Sequence, residues 1–124
     1  MEKSKVYYTD FHARKFGEGL PTKLQLLAKK AGIADLDLDG KFVAIKMHFG
    51  ELGNIAYLRP NYARAIVDVV KELGGKPFLT DCNTMYPGSR KKCFGTLGVC
   101  LAKWLYTINC RMSNFDRRWT KRNG

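Results

Sequence analysis

The sequence has no long apolar run. None of its hydrophobic segments approaches the roughly 20 apolar residues that a membrane-spanning helix needs. Its first ten residues, MEKSKVYYTD, also lack the apolar core of a secretory signal peptide. We therefore expect a cytoplasmic protein with reduced thiols and no membrane partner.

Closely spaced cysteine pairs are also absent. The spacing of the four cysteines gives no C-x-x-C pair, which argues against zinc or iron–sulfur ligation within this chain. The stretch DLDLDG at residues 35–40 matches the start of a calcium-binding EF-hand loop, but Lys46 occupies the position that requires a bidentate Glu. We predict that this chain alone holds no metal and no cofactor. The cysteines are Cys82, Cys93, Cys100 and Cys110.

Acidic residues are scarce beside basic ones. The chain has 22 Lys and Arg against 11 Asp and Glu, a formal net charge of +11. The excess is densest after Lys92, where six basic residues accompany a single acidic one. A nucleic-acid-binding face usually combines such charge with stacking aromatic side chains, whereas a charged run is more often solvated surface. We therefore predict no nucleic-acid partner.

The patterns that are present predict an α/β fold. Residues 5–10 (KVYYTD), 41–49 (KFVAIKMHF) and 76–81 (KPFLTD) are typical of strands, and the second has the continuous apolar run of a strand buried on both faces. Residues 20–32 and 59–75 have the apolar spacing of amphipathic helices that end at glycine. The order strand, helix, strand predicts a βαβ crossover, right-handed, in a partial parallel or mixed sheet. On the second helix the predicted apolar stripe is Tyr62, Ile66, Val69, Val70 and Leu73.

Two polar clusters follow the second and third predicted strands. In an open parallel sheet, ligands bind beyond the carboxyl ends of the strands. A His–carboxylate pair there suits acid–base work or anion binding, while the alternative is a pair of loops whose polar groups satisfy the backbone. The candidate ligand-binding residues are His48, Glu51 and Asn54 in the first cluster, Asp81 and Asn83 in the second, and Arg59 before the second helix.

Two motifs resemble a known family. I-K-M-H-F-G-E-x-G-N followed by L-R-P, and G-G-K-P-F-L-T-D-x-N-T-x-Y-x-G-S-R, are similar to the family called domain of unknown function 362, over residues 3–92. The resemblance implies an α/β domain that is often joined to a ferredoxin-type module with [4Fe-4S] clusters. It therefore implies a redox-associated role in the full-length protein, with a small molecule or redox protein as partner.

The resemblance stops after Lys92. Relatives continue with a segment like NALEHLECA and later one like GCPI, and these strings are compatible with the neighbouring reading frame of this chain. Trp104 and Trp119 each force a glycine in that frame, at places where the family pattern has one. We therefore predict that residues 1–92 are the N-terminal part of a family-like domain and that 93–124 are an out-of-frame tail. The alternative is a diverged native tail in which the segment VCLAKWLYTI packs as a helix or strand. The coding DNA from Ser89 onward decides this.

Two functions follow from these observations. One is a truncated part of an iron–sulfur-linked redox protein, which itself lacks the cluster ligands and supplies a substrate or partner surface. The other is a non-catalytic module that binds a small ligand or anion through loop glycines, Arg59 and helix N-termini. The sequence leaves open whether the protein is an enzyme.

Overall fold

The fold is built around a βαβ unit. The computed structural model describes residues 3–13 and 16–103, and in this part of the chain strand β1 (Phe42–Lys46) leads through helix α2 (Pro60–Glu72) to strand β2 (Lys76–Thr80). The two strands pair in parallel, with Phe42 opposite Lys76 and Lys46 opposite Thr80. The predicted α/β class and parallel βαβ pairing are confirmed.

Helix α1 (Leu20–Lys30) confirms the first predicted helix. It begins with a proline in its first turn, where a missing N–H costs nothing, and it ends before Gly32, which has a φ of 98°. A short 3₁₀ helix (Ile33–Asp35) follows. Helix α1 packs on α2, where the Gln25 side chain donates a hydrogen bond of 3.3 Å to the Ala65 carbonyl.

The first predicted strand is wrong. Residues 5–10 have no regular secondary structure, and Val6 and Tyr8 are exposed. Strand preference expresses packing on neighbouring strands, and no strand among the described residues pairs with this segment. The chain is instead held at Asp10 and His12, whose carbonyl oxygens accept hydrogen bonds from the Lys23 ammonium group at 3.1 and 2.8 Å.

Strand β1 is not buried on both faces, contrary to the prediction. Its residues alternate between exposed and half-buried, and Phe42 is 69% exposed. The described sheet has only two strands, so the packing that a central strand receives is missing at β1. The deeply buried apolar residues Met47 and Phe49 lie just beyond the strand, in the loop that leads toward α2.

The buried face of α2 is also wider than the predicted stripe. Val69 and Val70 are buried as expected, but Tyr62, Ile66 and Leu73 are only half-buried. Helix α2 packs between α1 and β2, so two sides of the helix are covered. The buried residues of α2 are Ala63, Ala65, Val67, Val69 and Val70.

Helix α3 (Cys93–Ala102) completes the core. Its residues Val99 and Cys100 are buried in the same hydrophobic cluster as the βαβ unit, and Thr96 is fully buried. The helix lies in the segment that the sequence assigns to an out-of-frame tail, and residues 104–124 of that tail lie outside the described residues. The cluster comprises Met47, Phe49, Ala63, Val67, Leu79, Val99 and Cys100.

The burial of α3 leads to a prediction about its contribution to stability. Val99→Asp places a charge in the core, so we expect the free energy of unfolding in urea to fall by about 3 kcal/mol or more. The matched control is Phe94→Asp in the same helix, where the side chain is 89% exposed and the expected change is within about 0.5 kcal/mol. Equal, small effects of both substitutions would show that α3 does not unfold with the core.

Candidate functional site

The parallel register brings the two predicted polar clusters to one edge of the sheet. The pairing continues past the strands, because the Met47 N–H donates a hydrogen bond of 3.1 Å to the Thr80 carbonyl. His48 and Asp81 each come one residue after this contact, so they lie side by side at the carboxyl ends of β1 and β2.

A buried ion pair between Asp81 and Arg90 forms the centre of the site. The two side chains are 3% and 1% exposed, and Arg90 Nη2 donates a charge-assisted hydrogen bond to Asp81 Oδ2. The same nitrogen donates to the Cys82 carbonyl at 2.7 Å, and the guanidinium lies over the buried Phe49 ring at 4.5 Å. These contacts fix Arg90 in place between the two loops.

The second oxygen of Asp81 is also fully used. Oδ1 accepts hydrogen bonds from Lys46 Nζ at 2.6 Å and from the Cys82 N–H at 2.8 Å. Burial raises the pKa of Asp81, but the hydrogen bonds from Lys46 and Cys82 and the charges of Arg90 and Lys46 together hold that pKa below its ordinary value. Asp81 is therefore an ionised carboxylate that organises the cations around it.

His48 stands at the solvent side of this pair. Its side chain is 63% exposed, and its Nδ1 lies 3.3 Å from Arg90 Nη1 and 3.6 Å from Asp81 Oδ2. Because a guanidinium only donates hydrogen bonds, we assign Nδ1 as the acceptor, so the neutral ring carries its hydrogen on Nε2. The His48 ring thus offers an N–H donor on the side that faces away from Arg90.

Glu51 does not pair with His48 as a simple acid–base couple. Both of its carboxylate oxygens are buried and have no hydrogen-bond partner among the described residues. Gly88 covers them: a Cβ added at that glycine would lie 3.0 Å from Glu51 Oε1. The loop is held closely, since Gly50 has a φ of 67° and its carbonyl accepts a hydrogen bond of 3.5 Å from Arg90.

The other three predicted residues lie around this centre in different roles. Asn54 Oδ1 accepts the Ala56 N–H at 2.8 Å, a local turn contact. Asn83 Oδ1 accepts a hydrogen bond of 2.7 Å from the buried Thr96 hydroxyl, which ties the second loop to α3. Arg59 is exposed at the N-cap of α2, and its side chain makes no hydrogen bond or ion pair with the described residues.

The structure adds three residues to the candidate site that the sequence did not predict. Arg90 is the arginine of the G-S-R motif. A cation after a turn is usually solvated, so the sequence does not indicate that this side chain is only 1% exposed. Lys46 was placed in a buried strand, although its ammonium reaches Asp81. Lys103, which is buried, donates to the Asn54 carbonyl at 2.6 Å and lies 3.8 Å from the Tyr57 ring. No sequence signal marked it.

The electrostatics around Lys103 connect it to the same site. Burial and the positive charge of Arg90 lower the pKa of Lys103, and the negative charge of Glu51 opposes them. The three charged groups are therefore close enough to influence one another. In the described part of the chain, no three His, Cys, Asp or Glu side chains are grouped as metal ligands. A [4Fe-4S] cluster needs four thiolate ligands, and the side chains that form the candidate site do not supply them.

The depressed pKa of Asp81 predicts a pH effect. The unfolded chain binds this proton near the ordinary pKa of 3.8 and the folded chain only at lower pH, so the stability that Asp81 provides is complete well above that pH. That stability is lost as the pH falls through the folded pKa. Carboxyl-carbon NMR should give an Asp81 midpoint below 3.8, and Lys46→Met should raise it.

The control for this titration is Lys29→Met. Lys29 pairs with Glu72 at 2.5 Å on the helices and should leave the Asp81 midpoint unchanged. A midpoint at or above 3.8 in the unaltered protein would contradict the assignment of Asp81 as the organising carboxylate.

Comparisons with known proteins identify one family. Neither the search of curated proteins nor that of solved structures finds a match. The model of a family described as a domain of unknown function, DUF362, matches residues 43–121, which is more than half of the chain. The matched range includes both polar loops and continues past Lys92, where the sequence analysis placed the end of the family pattern. The chain therefore belongs to the DUF362 family.

Proposed function

We propose that this domain binds a small anionic ligand at the carboxyl edge of its sheet. The observation that supports this most is the exposure of Lys46 and His48, at 57% and 63%, directly beside the buried Asp81–Arg90 pair. With Asp81 ionised, the charges of Lys46 and Arg90 leave this group with one net positive charge. The exposed donors are the Lys46 ammonium and the His48 Nε2–H.

The buried pair makes these donors suitable for binding. Asp81 holds the Lys46 ammonium at 2.6 Å, and Arg90 holds the His48 ring at 3.3 Å. Donors fixed in this way lose little side-chain entropy when a ligand arrives. The position also agrees with the general rule that open parallel sheets bind ligands at this edge.

The class of ligand follows from the charge of the site and from its exposed donors. One net positive charge with two exposed donors suits a single carboxylate or phosphate group better than a nucleic acid, which needs an extended basic face. No helix among the described residues has the length and apolar character needed to cross a membrane. We propose, from the sequence expectation, that the protein is cytoplasmic and that its partner is a small molecule.

A second function is supported by family membership. The resemblance implies that members are often joined to ferredoxin-type modules, so the same edge would serve as the substrate or partner surface of an iron–sulfur-linked redox protein. The clusters would be bound by another part of the full-length protein, with this chain as its frame-shifted N-terminal fragment. Paired C-x-x-C-x-x-C-x-x-x-C-P runs encoded downstream in the restored frame would support this role.

Titration with inorganic phosphate tests the proposed anion site. We expect saturable shifts of the Lys46 and His48 resonances in NMR spectra of the whole chain. Lys46→Met and His48→Ala should each weaken binding about tenfold, since each removes one charged or polar contact to the anion.

The control variant is again Lys29→Met, an exposed lysine in an ion pair of similar length. It should change the dissociation constant by less than about twofold, although it removes the same charge. Equal weakening by the Lys46 and Lys29 substitutions would mean that only net charge matters, and the proposed site would be wrong.

A further inference from the structure

Three buried polar atoms beside the proposed anion site have no hydrogen-bond partner among the described residues. They are both carboxylate oxygens of Glu51 and the Nε of Arg90, whose side chain is 1% exposed. A buried polar group without a partner is costly, and such groups in native proteins are few. The ion pair between Asp81 and Arg90 uses Arg90 Nη2, so it leaves Arg90 Nε and the Glu51 oxygens without a partner.

The unpartnered atoms belong to one place in the fold. Arg90 Nη1 donates to the carbonyl of Gly50, the residue before Glu51. Gly88 lies in the other loop, two residues before Arg90, and it covers the Glu51 carboxylate. Glu51 and Arg90 therefore lie on the two loops that meet beside His48, which contacts Arg90 at 3.3 Å, and the structure shows no direct ion pair between them.

We propose that Glu51 and Arg90 Nε bind a hydroxyl group of the ligand, so that the ligand is a hydroxylated anion. This inference rests on the proposed anion site. The Glu51 oxygens can only accept hydrogen bonds and Arg90 Nε can only donate one. A hydroxyl does both: it donates its one hydrogen to a Glu51 oxygen and accepts from Arg90 Nε, without bringing a charge into a buried place.

An ammonium group fits this place less well than a hydroxyl. Two cations already lie in this region, because Lys103 donates to the Asn54 carbonyl at 2.6 Å and Arg90 donates to the Gly50 carbonyl, both in the loop that carries Glu51. A third cation would be repelled by both, and it cannot accept the hydrogen bond from Arg90 Nε. The ligand reaches Glu51 only when the covering turn at residues 85–89 shifts, and the side chains of that turn are exposed.

Paired ligands that differ only in hydroxyl groups test this inference. The probes are glycerol 1-phosphate against propyl phosphate, and glycerate against propionate, titrated into the whole chain by calorimetry. We expect the hydroxylated member to bind about tenfold more tightly in at least one pair, as a hydrogen bond to a charged group would give. A preference confined to one pair distinguishes a sugar phosphate from a hydroxy acid.

Two variants assign the preference to Glu51. Glu51→Met removes both acceptors at similar side-chain length, and it should abolish the preference while propyl phosphate still binds, at least as tightly as before because a nearby negative charge is gone. Gly88→Ala keeps the carboxylate but crowds it, with the new Cβ 3.0 Å from Oε1, and it should reduce the preference. Glu72→Met, at an exposed carboxylate that pairs with Lys29, is the control and should retain the preference.

The outcomes separate this inference from the proposed function. Equal binding within each pair, or a preference that survives Glu51→Met, would overturn the inference and leave the anion site intact. Failure of both propyl phosphate and propionate to bind would overturn the anion site itself, and the inference with it.

Discussion

The buried ion pair between Asp81 and Arg90 determines how the rest of the site is arranged. Removing two charges from water is costly unless their remaining hydrogen-bonding groups are satisfied. Asp81 accepts hydrogen bonds from Lys46, the Cys82 N–H and Arg90, and both terminal nitrogens of Arg90 find partners. These hydrogen bonds tie together the two loops that the parallel pairing of β1 and β2 brings to the same edge of the sheet.

The same pair divides the site into a buried and an exposed part. Toward solvent, Lys46 and His48 are held in position and present donors to a ligand. Toward the interior, Glu51 and Arg90 Nε are buried without partners. A ligand with a negative charge and a hydroxyl group would complement both parts, which unites the two proposals in a single binding mode. Neither proposal requires a chemical step, so both are compatible with a protein that is not an enzyme.

Much of the framework could be predicted from local patterns. Helices α1 and α2 end just before a glycine, the βαβ order dictates parallel pairing, and parallel pairing places His48 next to Asp81. The predictions failed where a result depends on distant packing. Residues 5–10 have strand-forming side chains, yet no described strand pairs with them. The burial of Arg90 depends on Phe49, which is remote in sequence, as well as on Asp81, and the local sequence pattern does not reveal it.

Helix α3 shows a different limit of sequence reasoning. Codon compatibility with the neighbouring frame argues that residues after Lys92 are not native, whereas Val99 and Cys100 pack into the common core and Thr96 bonds to Asn83. The family match also extends beyond Lys92. An apolar segment can fill a core position whatever its origin, because hydrophobic burial is non-directional. The coding DNA therefore decides the frame, while packing decides whether the helix stabilises the fold.

A double-mutant cycle on Asp81 and Arg90 tests the central claim most directly. Asp81→Asn, Arg90→Met and the double variant are compared by the free energy of unfolding in urea. Asp81→Asn leaves the buried Arg90 charge without a carboxylate and should cost about 3–5 kcal/mol. Arg90→Met should cost less, because Asp81 keeps its ion pair with Lys46. The double variant should cost less than the sum of the two, with a coupling energy of about 2 kcal/mol or more. Additive effects would show that the ion pair does not organise this site.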